Sequence, residues 1–369
     1  MLVPILTKLY RVWYAAGCFP VSFLQADIFC IKKNGDGGNP LNYRPLALLN
    51  TDYKILTRLL TSIICPTLEK RISLQQNGFV PGRDIHDTID YFLAAKRVAA
   101  TSSEHRNALA LLLDFAKAYD SLERDFLYQA RRRHGYPEHF VTVIKSLHTG
   151  TTVRFLANGE HSRTLTVTRG IRQGFHHMAP LLFILALEPL YQRVMREPTL
   201  RGVVIRTQNA KFTLGIAGYA DDTTIYLRTP DGVVTLLAIT DLFGTASGLC
   251  LNHAKTIAIM LHHDGFTTTT AWVWSIQLQP VTKQCRYLGI QVDSRSDVGA
   301  MWILARKQLL LRLRLPCHKL ISVDQRSRVA AAVIIPKLLF IARHAWPNTD
   351  IVDMFTARIK AFVWSGVFR

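Results

Sequence analysis

Two periods of apolar residues organise this chain, and the shorter one marks its most informative stretch. Around Gly218-Tyr219-Ala220-Asp221-Asp222, Phe212, Leu214 and Ile216 alternate with polar or small residues on one side, and Ile225 and Leu227 do so on the other. Alternation with period two predicts a strand on each flank, joined as a hairpin with the paired carboxylates at its tip. Upstream, Ala108-Leu109-Ala110-Leu111-Leu112-Leu113 is an unbroken apolar run that ends at Asp114. An acid pair in a turn is ordinarily a solvated turn, because Asp tolerates bends and bonds to its own backbone. A third acid at the end of a buried strand changes that reading. Two such strands side by side would gather three carboxylates around one point.

The longer period predicts helices over residues 1 to 26 (Leu6, Leu9, Tyr10 and Trp13 on one face), 53 to 68, 84 to 100 and 121 to 133. In the last of these Leu122, Phe126 and Ala130 face inward, with Gly135 beyond the end. Helices are also expected over 181 to 195, 233 to 243, 301 to 314, 324 to 345 with a bend at Pro336, and 351 to 365. Residues 26 to 32 read as a strand entering the turn-rich Asn34-Gly35-Asp36-Gly37-Gly38-Asn39-Pro40. Strands over 151 to 156 and 164 to 168 flank Asn158-Gly159, a type I′ hairpin signal. The best apolar run, 329 to 342, is broken by Pro336 and Lys337 and reads as a core helix, so no membrane span is expected. The N-terminal residues lack a basic leader followed by a small-residue cleavage site, and no signal peptide is expected.

Composition adds a partner. The 369 residues, 49% hydrophobic and 19% charged, are enough for a large core divided into two or three subdomains. Forty-five Lys and Arg against 26 Asp and Glu give a net charge of +19, which points first to nucleic acid. A basic soluble surface, a ribosome-associated protein or a membrane-surface protein would show the same charge. From residue 301 onward there are 12 Lys and Arg against three Asp and no Glu, with Arg306, Lys307, Arg312 and Arg314 crowded between leucines, which favours the nucleic-acid reading. Six cysteines without close pairs argue against a zinc site and for a reducing, intracellular setting. His176-His177 and His262-His263 lack a matching Cys or carboxylate at metal-ligand spacing and are read as structural or surface residues.

Three clustered carboxylates repel one another unless cations sit between them. A pair of Mg²⁺ ions about 4 Å apart answers that need and can stabilise both oxygens of an in-line phosphoryl transfer. Tyr219-Ala220-Asp221-Asp222, with Asp114-Phe115-Ala116-Lys117-Ala118-Tyr119-Asp120 upstream, resembles the palm of a reverse transcriptase of the non-LTR (LINE-type) retrotransposon family. Further stretches resemble that family in order: Asn42-Tyr43-Arg44-Pro45-Leu46, Gln75-Gln76-Asn77-Gly78-Phe79-Val80-Pro81-Gly82-Arg83, Gly170-Ile171-Arg172-Gln173-Gly174, Gly248-Leu249-Cys250-Leu251-Asn252-His253-Ala254-Lys255-Thr256 and Tyr287-Leu288-Gly289-Ile290.

The resemblance, which covers about residues 27 to 290, implies an α+β right-hand polymerase. Fingers would occupy 1 to 104 with 125 to 178, an antiparallel-sheet palm 105 to 124 with 179 to 290, and a helical thumb-like region 291 to 369. It implies RNA-templated DNA synthesis, in which a primer 3′-OH attacks the α-phosphate of a dNTP. RNA template, DNA primer and dNTPs are the partners, two Mg²⁺ (or Mn²⁺) the cofactors, and nucleus or cytoplasm the setting. Asp114 and Asp221 would bind metal with Asp222 beside them, and Lys255 would approach the leaving pyrophosphate. Lys32, Lys33 and Arg44 would meet the triphosphate, while Gln173 and Gly174 position nucleotide and template. Tyr119 would crowd the sugar 2′ position, although a packed core Tyr fits it equally. Tyr287, Leu288 and Gly289 would form the primer grip. The chain departs from the family after Gly174: Phe175-His176-His177-Met178-Ala179-Pro180 replaces a shorter Cys-Pro-x-Ser/Ala-Pro turn. That departure leaves open a catalytically impaired, nucleic-acid-binding retroelement fragment. A group II intron maturase-like protein is the third reading.

Overall fold

The computed structural model describes residues 2–33, 35–172, 178–208, 210–264, 277–278, 285–292, 298–317 and 321–364. The chain opens with α1 (Leu2–Ala16), followed by β1 (Gln25–Lys32) and β2 (Tyr43–Leu48), an antiparallel pair, and by α2 (Thr51–Ile64). α1 is shorter than its periodicity suggested because Gly17 turns left-handed, with φ +64°, ahead of Pro20. Tyr10 faces inward and its hydroxyl donates to the Asp52 carbonyl, whereas Leu9 lies exposed rather than on the packed face.

After α2 come α3 (Ile85–Thr101), β3 (Leu109–Leu113), the single turn α4 (Ala118–Ser121), α5 (Arg124–Arg133) and α6 (Glu138–Ser146). The helix expected over 121 to 133 starts at Arg124 because residues 122 and 123 use their backbone elsewhere. The Leu122 carbonyl accepts from Gly170 N–H, and Glu123 N–H donates to Ser247 O. Leu122 and Ala130 are buried as expected, but so are Arg124 and Arg131. The Arg124 guanidinium donates to the carbonyls of His148, Val167 and Gly170 and so fastens the loop at 167–170 to α5.

β4 (Thr152–Ala157) and β5 (Glu160–His161) form the expected hairpin, with Asn158 at φ +52° and Gly159 at +86°. The strand expected over 164 to 168 is the short β6 (Leu165–Thr166), which pairs with the start of β4. β4 also runs parallel to β1, so one sheet in the order β2-β1-β4-β5, with β6 on β4, carries the N-terminal layer.

α7 (Met178–Arg196) is the molecule's central helix. Its length and composition would suffice to cross a membrane, contrary to the expectation that no run does, but it is mostly buried among α2, α5 and the later α8. Then follow β7 (Val203–Arg206), β8 (Lys211–Leu214), β9 (Ile216–Tyr219), β10 (Asp222–Leu227), α8 (Gly232–Ser247), β11 (Ile257–Met260), β12 (Gln277–Leu278), β13 (Cys285–Tyr287) and β14 (Ile290–Val292). The strand expected over 212 to 216 is two strands. β8 pairs with β7, β9 pairs with β10, and Gly215 between them lets the chain change sheets.

The central sheet runs β12-β11-β3-β10-β9 and is mostly antiparallel. Both faces of its middle strands are covered. Leu109, Leu111, Leu113, Ile225 and Leu227 enter the core shared with α2, α7 and α8. Ala110, Ala217 and Tyr226 enter a second core shared with α3 and the C-terminal helices. Those helices are α9 (Val298–Cys317), α10 (Val323–Val329), a π-turn (Ala330–Ile334), α11 (Ile335–Ala342) and α12 (Thr349–Trp364). The bend expected at Pro336 takes the form of this π-turn, since the proline ring would press on the carbonyl of Ala332 in a regular helix. Arg312 donates to Val333 O in the opened turn. The run 329 to 342 is not a core helix: Val333, Ile335 and Leu339 are exposed, and Ala330, Ile334 and Ile341 are buried.

Candidate functional site

The three carboxylates meet because of strand register. Leu113 pairs with Thr223, which sets Asp114 opposite Asp222 one residue further along. Tyr219 pairs with Asp222 across the β9–β10 turn, which holds Ala220 and Asp221. Both Asp221 and Asp222 open onto the cleft. Enclosure by the surrounding protein pushes Asp222 up to about 6, helped by Asp221 and Asp114 and opposed by Arg286. Asp221 is raised too, by burial and Asp114, against its own backbone N–H and the Arg44 guanidinium. Asp222 thus feels both other acids and Asp221 feels Asp114, while Arg44 acts on Asp221 from the N-terminal layer.

The cleft in front of them measures about 820 Å³. Tyr119, Tyr219 and Phe79 lie on its lining with Asp221 and Asp222, while Arg286, Arg312 and Lys337 bring positive charge from β13, α9 and α11. Tyr119 stacks on Phe183, ring centroids 4.7 Å apart, and still reaches the cleft, so it is both a packed aromatic and a lining residue. Burial and the neighbouring Arg286 and Arg312 guanidinia push the Lys337 ammonium below its usual range. Lys337 donates to Gly289 O at 3.4 Å, tying α11 to the turn between β13 and β14.

The stretch from Gln75 to Arg83 is the least obvious part of the site. Gly218 N–H donates to Gln75 O and Asn77 N–H donates to Gly218 O, so the stretch lies along β9. The Gln76 side chain, 1% exposed, accepts from Ala220 N–H at 2.8 Å and donates to Ala220 O at 3.1 Å. Ala220 has φ +57°, a left-handed conformation that costs a non-glycine residue about 1–3 kcal/mol. Two glycines permit the approach: a Cβ on Gly78 would strike Ala220 N, and one on Gly218 would strike the Tyr191 hydroxyl. Arg83 locks the far side, donating to the carbonyls of Ile72, Ser73 and Gln76.

Lys32 and Lys33 are exposed at the end of β1, and Arg44 is exposed on β2 opposite Ile31. The glycine-rich loop between the strands is closed by Tyr43, whose hydroxyl donates to Gly37 O, and by Asn42, which donates to Asp36 O. Lys255 is exposed in a turn whose backbone grips Asp114: Asn252 N–H donates to Asp114 O, and Asp114 N–H donates to the Thr256 hydroxyl. Leu288 and Gly289 line the cleft, but the Tyr287 side chain is buried against Phe92 and accepts from the Thr224 hydroxyl. Gln173, Gly174 and the departing residues 175 to 177 lie outside the described residues. His262 and His263 do have a carboxylate at hand, since Asp264 brings its ligand atom within 4.8 Å of theirs on the surface.

Residues 31–292 match the reverse transcriptase (RNA-dependent DNA polymerase) family. The chain belongs to the reverse transcriptase family. The resemblance to its non-LTR members holds as well. The transposon TX1 149 kDa protein of Xenopus laevis is 23% identical over 96% of this chain and 26% of its own length. The Pol polyprotein of the type-2 retrotransposable element R2DM of Drosophila melanogaster is 26% identical over 80% of the chain and 27% of its own. This reverse transcriptase domain thus spans about a quarter of the curated relatives it matches. Apo telomerase from Candida tropicalis shares the fold, with a TM-score of 0.50 at 11% identity over 79% of this chain and 52% of that one. The expected right-hand polymerase of mixed helix and antiparallel sheet is therefore borne out. Sequence reasoning missed Gln76, Tyr191, Arg286 and Lys337 as site residues. Gln76 lay inside a recognised stretch and Arg286 directly precedes another, but neither position declared its partner.

Proposed function

We propose that this reverse transcriptase domain extends a DNA primer on an RNA template with dNTPs. The observation that carries the reading is the convergence of Asp114, Asp221 and Asp222 on adjoining strand ends, with Asp221 and Asp222 on a cleft that also presents Tyr119, Arg286, Arg312 and Lys337. Three neighbouring carboxylates, two of them raised by burial and then by a nearby acid, fit a pair of hard divalent cations, Mg²⁺ or Mn²⁺. Bound there, such ions would stabilise the attacking and leaving oxygens of the transfer. The chain's own contribution is positioning and charge. Arg44, with Lys32 and Lys33 beside it, meets the triphosphate from the fingers, and Tyr119 forms the floor under the sugar. Leu288 and Gly289 hold the primer end, Lys255 stands on the turn that grips Asp114, and Gln173 with Gly174 completes the nucleotide site. Fingers, palm and thumb follow the divisions at 104, 124, 178 and 290, and the reading goes with an intracellular setting, nuclear or cytoplasmic.

The test is primer extension on an RNA template with Mg²⁺ or Mn²⁺, beside the variant carrying Asp221→Asn and Asp222→Asn. Extension by the parent and a loss of more than about 10³-fold in the variant, with template binding retained, is the expected result. Synthesis that survives in the variant refutes the assignment. Salt-sensitive binding without extension by the parent would identify the impaired, nucleic-acid-binding form instead.

A further inference from the structure

The geometry points to Gln76 as a positioning residue that sets the catalytic turn: its side-chain amide holds Ala220 left-handed and thereby aims Asp221 and Asp222. Four hydrogen bonds account for the whole amide. The Gln76 Oε1 accepts from Ala220 N–H and Gly78 N–H, both at 2.8 Å, and Nε2 donates to Ala220 O at 3.1 Å and to the Tyr191 hydroxyl at 3.2 Å. A primary amide has two donors and two acceptor lone pairs, so every one is used and only one orientation satisfies them. Turned over, the NH₂ would face two N–H donors and the oxygen would face a carbonyl.

What the amide grips is the residue on which the turn depends. The β9–β10 loop has two central residues, and only the first, Ala220, has positive φ among its non-glycine positions. That is the φ pattern of a type II′ turn, where the first central position normally takes glycine. Nothing in alanine itself favours this conformation. The Ala220 peptide groups, bonded on both sides to one buried side chain, supply the preference from outside. Asp221 is the next residue and Asp222 the one after, so their directions follow from the Ala220 dihedrals. Asp114 stands on a different strand and is gripped separately by Asn252 and Thr256. Without Gln76 the pair at 221 and 222 would drift relative to Asp114, and a drift of about 1 Å can cost about 100-fold in rate.

The anchoring runs deeper than one contact. Tyr191 belongs to α7, the central helix, and Gly78 N–H shares the Gln76 oxygen with Ala220. The backbone bonds of Gln75 and Asn77 to Gly218 are independent of the side chain, so replacing the side chain leaves the segment docked on β9.

The test uses the whole chain and the variants Gln76→Leu, Gln76→Glu and Gln76→Leu with Ala220→Gly. Hydrogen exchange at the Ala220 amide reads the clamp directly, and steady-state primer extension reads its consequence. Exchange at Ala220 is expected to accelerate at least tenfold in Gln76→Leu while amides of β3 and β10 stay protected. The turnover rate should fall about 100-fold with little change in KM for primer–template. Glycine at 220 reaches positive φ without strain, so adding Ala220→Gly should recover about tenfold of the lost rate. A general packing defect would not be mended by glycine. Gln76→Glu, nearly isosteric, replaces the donor to Ala220 O by an oxygen that repels that carbonyl and so pushes Ala220 off the clamp, and covers the case in which the leucine variant does not fold. It should show the same direction in both readouts.

Unchanged exchange at Ala220, an unchanged turnover rate, or no rescue by Ala220→Gly would each overturn the inference. The kinetic arm rests on the polymerase reading, whereas the exchange arm does not. A parent protein without extension activity refutes that reading alone, and the Ala220 exchange still decides the role of Gln76.

Discussion

Two β-hairpin turns reach the cleft, and each carries a non-glycine residue at positive φ: Ala220 at +57° between β9 and β10, and Leu288 at +45° between β13 and β14. A third hairpin, at Asn158-Gly159, shows the relaxed case, with residues suited to the turn and open space beside Gly159. The two unusual turns are held by different means. Ala220 is fixed by a buried amide and a docked backbone segment within the sheet layer. The Leu288 turn is touched instead by the C-terminal helices: Lys337 donates to Gly289 O, and the Phe340 ring lies 3.1 Å from where a Cβ on Gly289 would sit. One turn is thus set by the body that carries the acids, the other by the helices that close over the cleft. Strain at the first is held constant, whereas geometry at the second depends on where α11 sits.

The largest effect expected from breaking this contrast comes at Gly218. A methyl group there meets the Tyr191 hydroxyl and the backbone of Asp222, so Gly218→Ala should cost about 2–3 kcal/mol of stability and most of the activity, measured by denaturant titration and extension rate. Next is Arg44→Ala. Removing the guanidinium that acts on Asp221 should raise KM for dNTP about tenfold or more, and an unchanged KM would detach the fingers from the nucleotide. Lys337→Met probes the second turn. It should weaken primer–template binding and reduce the slope of log affinity against log salt by about one, with KM for dNTP nearly constant.

The smallest effect is a pH dependence of stability. Asp222 is raised above the ordinary carboxylate value to about 6, so the folded protein holds its proton more tightly than the unfolded chain does. The resulting stabilisation is present at acid pH and is lost as pH rises from about 4 through 6. Without divalent ions, Asp222→Asn should therefore raise the melting temperature modestly at pH 7 and not at pH 4. Added Mg²⁺ should stabilise the parent at pH 7 more than at pH 5. Equal responses at both pH values would mean that the carboxylates do not share a cation site.

Much of this layout was legible in the sequence, for reasons that separate local from distant causes. The run ending at Asp114 and the alternation around Ile225 fixed two strands and the direction of their acids, because burial on a sheet is written into neighbouring residues. The break at Gly215 was not legible, since Phe212, Leu214 and Ile216 keep one period while the chain changes sheets. The burial of Arg124 and Arg131 was hidden because a guanidinium on a helix reads as solvated until the carbonyls it serves are known. Gln76 and Ala220 are 144 positions apart, and no periodicity links them. The same holds for Arg286, Arg312 and Lys337, three separate charges until the fold turns them into one cleft.

The π-turn at Ala330–Ile334 also sets the rotational phase of everything after it. A wide turn accommodates one residue more than a regular helix over the same rise, so Lys337 and Phe340 point into the cleft with that residue counted in. Pro336 bars regular α geometry over this turn, so excising a single residue from it would pass the loss on to α11 as a rotation of up to about 100° about its axis. Lys337 would then leave Gly289, and a different side of the helix would face the cleft. A one-codon change in length, remote from the acids, could in this way re-index the whole closing surface while leaving each of its residues intact.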